Sequence, residues 1–387
     1  MIDILAWVLA SPFLVILAYL LIELIGGLAP LNARALGSAP RHIAILIPAH
    51  DEAASIAATV RAVAAAAPGA HILVVADNCR DATADEARAA GAETIERHDP
   101  ERRGKGFALA FGRDHLAGDP PDAVVVVDAD CRIEPGSIER LAAAATATGA
   151  PVQASNLLVA PPGASPIVAI SNFAMLVKNL VRARGLRRIG GGALLFGTGM
   201  AFPWPLFARL PLASANMVED LELGLKLARE GVRVGFDDGA RVTSPAASLA
   251  SSRGQRSRWE HGFLDTARRQ ALPLLGAALR RRSRHLAALG AHLLVPPLAL
   301  LLLAALVDLL ILGGLALLGA DGLPALLLLA LLALVALALL LAWRREARAI
   351  LPARDLLRAP LYLLWKVPLY LGFFTRRQTD WNRTRRD

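Results

Sequence analysis

Three long apolar runs flank a globular middle, and they constrain the fold of this chain more than any other feature. Residues 4–28 are apolar apart from Glu23. Residues 289–318 form a second run, broken by Pro296-Pro297 and carrying Asp308, and residues 324–343 form a third. Each is long enough to cross a bilayer as a helix, which takes about 20 residues. No water is available there to satisfy backbone groups, so such segments fold as helices or closed barrels, and runs this uniform read as helices. A cleaved signal peptide is the rival for the first run, but no basic region precedes it and Asp3 is acidic. Ala320-Asp321-Gly322 reads as the turn of a helical hairpin. Asp308 is expected to face protein or water rather than lipid, or to be lifted toward the interface by tilt.

The charge pattern orients these segments. The net charge is +9. Much of it gathers beside the apolar runs, at Arg34 and Arg41, at Arg280, Arg281, Arg282 and Arg284, at Arg344, Arg345 and Arg348, and in the tail from Arg376 to Arg386. That placement suits membrane lipids and an inside-positive orientation, not nucleic acid. It puts the amino terminus outside, and the central domain and carboxyl terminus in the cytosol of a multi-pass protein of the inner (plasma) membrane. Residues 356–374 are apolar but interrupted by Arg358, Pro360, Lys366 and Pro368, with Tyr362, Trp365 and Tyr370 interleaved, which reads as an interfacial helix or a re-entrant segment. The expected division is therefore 1–30, an N-terminal transmembrane helix; 31–284, a cytosolic domain; 285–343, a transmembrane hairpin; and 344–387, an interfacial helix and basic tail. Cys79 and Cys131 fall in no CxxC spacing, so neither a zinc site nor a redox motif is indicated.

In the middle, short apolar runs at 43–47, 71–76 and 123–127 alternate with helical stretches at 53–67, 82–90, 105–116 and 135–148. That alternation predicts an α/β domain with a mostly parallel sheet, whose ligands bind beyond the carboxyl ends of the strands. Asp77 and Asp128 sit at such ends. Asp128 and Asp130, flanking Ala129, can hold a hard divalent ion, Mg²⁺ or Mn²⁺, which takes one or two carboxylates plus substrate phosphates. They also suit a solvated turn. Asp77 can accept from a nucleotide base or ribose, or close an Asx-turn. Arg102-Arg103-Gly104-Lys105-Gly106 opens a helix where backbone N–H groups and Lys105 can meet phosphate, though no P-loop is present. Glu219-Asp220 opens another helix. Such acids serve the helix dipole, or one of them serves as general base for a hydroxyl. Gln255, Arg258 and Trp259 fall within about one helical turn, where Arg258 can pair with a diphosphate and Trp259 can wall a sugar or anchor an interfacial helix.

In order along the chain, Pro48-Ala49-His50-Asp51-Glu52, Asp77, Gly104-Lys105-Gly106, Asp128-Ala129-Asp130, Phe196-Gly197-Thr198-Gly199, Glu219-Asp220 and the Gln255-x-x-Arg258-Trp259 motif resemble membrane-bound family 2 glycosyltransferases. The likeness covers roughly residues 41–262 and is nearest to the cellulose synthase and poly-N-acetylglucosamine synthase branch. The ordered series is specific, while any one member is not. The resemblance implies a GT-A-type nucleotide-sugar-binding domain and inverting transfer of a hexosyl or N-acetylhexosaminyl group from a nucleotide sugar, a UDP-sugar by expectation. It implies donor contacts from Pro48, Glu52, Asp77, Lys105, Asp128 and Asp130, with metal at Asp130 and Asp128. Asp220 would be the catalytic base. Gly197, Thr198, Gly199, Glu219, Gln255, Arg258 and Trp259 would meet acceptor and diphosphate. The implied acceptor is a lipid-linked or polysaccharide hydroxyl, in exopolysaccharide or glycolipid synthesis, with polysaccharide-assembly proteins as further partners.

The chain departs from the family pattern at Ala76-Asp77, where two acids are usual, and at Val218, where Thr is usual. Three spans make a one-chain extrusion channel doubtful. A processive polysaccharide synthase and a non-catalytic assembly subunit with a degenerate domain remain the rival expectations. Few intramembrane polar residues disfavour a transporter. Phe196, Phe202 and Trp204 suit either an acceptor wall or the core.

Overall fold

A computed structural model describes residues 1–32, 40–160, 163–214, 216, 218–246 and 249–375, with side chains described for these apart from 249–256 and 373–375. Arg34 and the basic tail from Arg376 lie outside the described residues. The chain groups into two compact units. One comprises Pro30–Val159 and Gly192–Pro245; the other comprises Met1–Ala29, Ala160–Gly191 and Ala246–Asp387.

The first unit is built on an eight-stranded sheet. Its strands are β1 (Ile43–Ala49), β2 (His71–Asp77), β3 (Glu93–Arg97), β4 (Ala123–Val126), β5 (Arg132–Ile133), β6 (Val152–Val159), β7 (Met200–Pro203) and β8 (Gly235–Pro245), in the order β3-β2-β1-β4-β7-β6-β8-β5. Strands β3, β2, β1 and β4 are parallel. Strand β7 runs antiparallel to both β4 and β6, β6 and β8 are parallel, and β5 is antiparallel to β8. Residues Ile43 to Ile47 of β1 and all of β4 are buried, as expected of strands covered on both faces. One face packs Ile45, Ile47, Val74 and Val125 against Ile56, Val60 and Val63 of the Ile56–Ala66 helix and Ile138 and Leu141 of the Ser137–Thr148 helix. The sequence readings at 43–47, 71–76, 105–116 and 123–127 match observed elements within one or two residues. The helix read from 53 begins at Ile56, because residues 50–55 turn back over the strand ends; Asp51 there has φ of 52°.

The second unit is helical. Helices Ile2–Gly27, Leu298–Leu317 and Leu323–Ala347 are long and apolar enough to cross a membrane. Their exposed positions are large and apolar, with Leu310 77%, Leu317 92% and Leu326 64% accessible. That is the reverse of a helix at a water-facing surface. Pro296-Pro297 splits the second apolar run into helices Arg284–Leu294 and Leu298–Leu317, since proline lacks the N–H that would continue the ladder. Glu23 is fully buried. Its carboxylate accepts from Arg182 Nε at 2.7 Å and meets His292 Nδ1 at 2.5 Å. Arg182 lies on a π-helical stretch, Val177–Arg182, that links two α-helices. Gly185 lies so close to the first helix that a Cβ would come within 2.0 Å of the Glu23 carbonyl oxygen. Small residues of this kind let helices approach backbone to backbone. A further pair, Arg184 to Glu346 at 2.6 Å, joins the same bundle. Asp308 is buried against protein, one of the two placements expected for it, and its Oδ2 has no hydrogen-bond partner among the described residues.

Candidate active site

Three of the acidic residues singled out in the sequence, Asp128, Glu219 and Asp220, gather around Lys105 beyond the carboxyl end of β4. Strand β4, interior to the sheet, ends at Val126, and Asp128 follows just past its carboxyl end. Its backbone N–H donates to Thr198 Oγ1 at 3.1 Å. Lys105, first residue of the Lys105–Leu116 helix, donates its ammonium to Asp128 and to the carbonyl oxygen of Gly197, the latter at 2.6 Å. Gly197 has φ of +84°, a conformation costly for residues with a Cβ. A Cβ there would also stand 3.3 Å from Asp220 Oδ2 and 3.5 Å from Lys105 Nζ. Lys105, Asp128, Gly197 and Asp220 therefore form one contiguous cluster.

Glu219 and Asp220 open the Glu219–Arg229 helix, where unpaired backbone N–H groups favour negative charge. Burial, then the neighbouring Asp220 carboxylate, pushes the Glu219 carboxyl up to about 7. Burial pulls the Lys105 ammonium down, but Asp128, Glu219 and Asp220 outweigh it and hold the group above the ordinary lysine range. Three carboxylates thus crowd one ammonium. The excess negative charge suits a site that must take up a proton or a cation.

Asp128, Asp130 and Cys131 place one ligand atom each within 4.8 Å of one another. Two carboxylates match a hard oxygen-seeking ion such as Mg²⁺ or Mn²⁺. The Cys131 thiol, pushed up by burial and then by Asp128 and Asp130, fits such an ion less well. Its sulfur instead lies 3.1 Å from Ser244 Oγ and 3.5 Å from Asp130 Oδ1.

The remaining residues extend the cluster along the strand ends. Pro48 is in β1, and Glu52 follows it, with its N–H donating to Thr83 Oγ1 at 2.7 Å and its carboxylate accepting from Ser55 at 2.9 Å. Asp77 ends β2 and is buried. It accepts from Arg97 at 2.6 Å and from the Asn78 amide at 3.0 Å. Arg258 and Trp259 belong to the Leu249–Arg281 helix of the helical unit, and the side chain of Gln255 lies outside the described residues.

Two contributors escaped the sequence reading. Arg97 pairs with Asp77 across neighbouring strands and lies over the Phe107 ring at 5.5 Å. Gln153, fully buried in β6, donates to the Thr198 carbonyl at 2.8 Å and accepts from the Phe196 N–H at 2.9 Å, so it clamps the 196–199 loop. No signal in the sequence singled Gln153 out, since its strand, Val-Gln-Ala-Ser-Asn-Leu-Leu-Val, carries a second amide at Asn156. Phe202 and Phe207 are buried against each other, ring centroids 5.4 Å apart, so Phe202 belongs to the core.

A family model described as "Glycosyltransferase like family 2" matches residues 40–262. The match spans more than half of the chain, and the protein belongs to that family of glycosyltransferases. In structure it is similar to the mannosyltransferase PcManGT from Pyrobaculum calidifontis, solved with GDP-Man and Mn²⁺. The identity is 19% and the TM-score 0.57, covering 95% of this chain and 99% of that one. The sheet unit is therefore GT-A-like. A weaker likeness, TM-score 0.39 at 21% identity, links 57% of this chain to 79% of glucosyl-3-phosphoglycerate synthase from Mycobacterium tuberculosis, solved with Mn²⁺, UDP-glucose and phosphoglyceric acid. No curated protein sequence gives a significant match.

Proposed function

We propose that the protein is an inverting glycosyltransferase that moves a hexosyl or N-acetylhexosaminyl group from a nucleotide sugar, a UDP-sugar by expectation, to a hydroxyl of a lipid-linked or polysaccharide acceptor. It would act at the cytosolic face of the inner membrane, in glycolipid or exopolysaccharide synthesis. The observation that carries this reading is the cluster of Lys105, Asp128, Glu219 and Asp220 around Gly197, in a chain that belongs to a glycosyltransferase family.

In this reading Asp220 is the general base. It accepts the acceptor's proton as that oxygen attacks the anomeric carbon on the face opposite the leaving diphosphate. Positive charge developing at that carbon is stabilised by the surrounding carboxylates. Glu219 holds its proton up to about pH 7, so up to that pH the Glu219–Asp220 pair carries less than its full negative charge and titrates as a pair. Lys105 sits where it can shift from Asp128 toward an incoming phosphate. Asp128 and Asp130 would hold Mg²⁺ or Mn²⁺, which supplies charge neutralisation for the departing diphosphate. Glu52 and Asp77, with Arg97, border the end of the sheet assigned to the nucleotide, and Thr198 and Gly199 shape the acceptor side. Arg258, Trp259 and Gln255 are assigned to acceptor and diphosphate by the motif alone.

The test is nucleoside diphosphate release by purified protein given a panel of nucleotide sugars with Mg²⁺ or Mn²⁺, with and without a membrane-lipid extract. Metal-dependent release from one donor, raised by the extract, is expected. Folded protein that binds no donor would overturn the reading.

A further inference from the structure

The Gln255-x-x-Arg258-Trp259 motif runs directly into a set of directional contacts from a distant part of the chain. Glu260, the residue after Trp259, is bonded through Oε1 to the ammonium of Lys366. The Tyr370 hydroxyl lies against the same carboxylate. His261 Nε2 donates to the Leu369 carbonyl oxygen at 3.0 Å, and its Nδ1 lies 3.4 Å from Ser257 Oγ, one turn back. Lys366, Leu369 and Tyr370 all belong to the Ala359–Thr375 helix, whose contacts span 106 and 108 sequence positions.

That helix is built to face protein with its polar side. Its Tyr362, Lys366 and Tyr370, spaced by one helical turn, are buried, while Leu361, Leu364 and Leu371 are exposed. Lys366 is fully buried and lies 5.7 Å from the ring centres of both Tyr362 and Trp365. Burying an ammonium is costly even when it is paired, and an apolar residue would pack the two helices without that cost. What the ion pair adds is direction, since a buried polar contact fixes the register and rotation of one helix against another.

Trp259 stands where such a device is needed. It borders a cavity lined also by Phe263, Tyr362 and Tyr370. Interior side chains are ordinarily locked by close packing, and a cavity on one side removes part of that lock.

We propose that the Ala359–Thr375 helix is a positioning strut for the motif, in which Lys366, Tyr370 and the Leu369 carbonyl hold Glu260 and His261 so that Arg258 and Trp259 keep the placement that transfer requires. Lys366 and Tyr370 are then positioning residues that act through the motif. This rests on the reading above that Arg258 and Trp259 meet acceptor and diphosphate.

The experiment uses full-length protein in detergent and compares wild type, Glu260→Met with Lys366→Met, Tyr370→Phe, Trp259→Phe, and the paired methionines combined with Trp259→Phe. Lys366→Met alone would strand the Glu260 charge, whereas replacing both members of a buried pair by apolar residues of similar volume is often neutral for stability. The methionine pair should therefore still fold. With the nucleotide-sugar panel and the membrane-lipid extract, it should lower nucleoside diphosphate release about tenfold or more, at a donor KM changed by no more than about twofold, as expected when groups are held out of place. Tyr370→Phe leaves the ion pair intact and should lower release about threefold. In the Trp259→Phe background the methionine pair should have much less further effect, because it acts through the motif, whereas a merely structural contact would subtract equally from both backgrounds. Hydrogen exchange at the amides of residues 257–261 reads the strut without turnover and should quicken in the methionine pair. Unchanged release in both folded variants, equal losses with and without the Trp259 substitution, or unchanged exchange would each overturn the proposal. No release by wild type would refute the transferase reading instead, and the exchange measurement would still decide whether the strut holds this segment.

Discussion

The helical bundle and the candidate site treat buried charge in opposite ways. In the helical bundle, most buried charges meet their opposites, with Asp308 the exception. Glu23 lies between Arg182 and His292, Arg184 holds Glu346, and Lys366 holds Glu260. In the sheet unit, three carboxylates, Asp128, Glu219 and Asp220, bear on the one ammonium of Lys105. The first arrangement suits helices long and apolar enough to cross a membrane, where no water would be at hand. The second leaves negative charge unbalanced at the end of a sheet, which stabilises nothing by itself and is chemically useful only when a cation, a proton or a positively charged transition state arrives. Charge that is paired reads as architecture, and charge that is crowded reads as a site.

The largest effect expected from breaking this contrast is on chemistry. Asp220→Asn removes the proposed base while preserving shape, and it should lower the transfer rate by about 10²–10⁴-fold with thermal unfolding unchanged. Steady-state nucleoside diphosphate release and a melting curve check the two halves of that statement. In the helical unit the reverse should hold. Glu23→Ala leaves Arg182 buried without its partner and should cost about 3–5 kcal/mol of stability, seen as lost folded yield and a lower melting temperature, and whatever protein still folds should keep its donor affinity. Gly197→Ala comes next. A Cβ at φ +84° costs about 1–2 kcal/mol and would press on Asp220 and Lys105, so roughly tenfold lower activity is expected, with a melting temperature lowered by a few degrees.

How much of this was legible beforehand depended on the distance over which a residue finds its partner. Strands β1, β2 and β4 announce themselves as compact apolar runs, and the acids at their ends follow from parallel α/β topology. Strand β3, Glu-Thr-Ile-Glu-Arg, is a half-exposed edge strand with no apolar run to mark it, and Arg97 was lost with it. Strand β7 is four residues long and hidden in the turn-rich 196–205 stretch. Glu23 stood out only as a blemish in an apolar run, because its partners lie 159 and 269 positions away. The segment 166–188 carries Arg182, Arg184, Arg187 and Arg188 and was read with the sheet domain, yet it groups with the apolar helices. Neither periodicity nor charge pattern reveals that two of those arginines are buried against acids from other helices. Lys105, Asp128 and Asp220 were nameable as candidates, but their meeting at Gly197 is a product of the fold.

The smallest expected effect is the most diagnostic, because it reads the crowding itself. Glu219 binds its proton more tightly in the folded protein than an ordinary carboxyl does. The folded state therefore holds more protons than the unfolded chain between the ordinary carboxylate range and pH 7, and its stability falls as pH rises through that interval. Glu219→Gln should flatten that dependence. The decisive measurement is the pH dependence of kcat/KM for the wild type and for Glu219→Gln. Crowded carboxylates predict a rising limb with an apparent pKa near 7 that belongs to the Glu219–Asp220 pair, moved at least one unit lower in the variant. An identical limb in both proteins would show that the two carboxylates do not share their charge, and would contradict the account of the site.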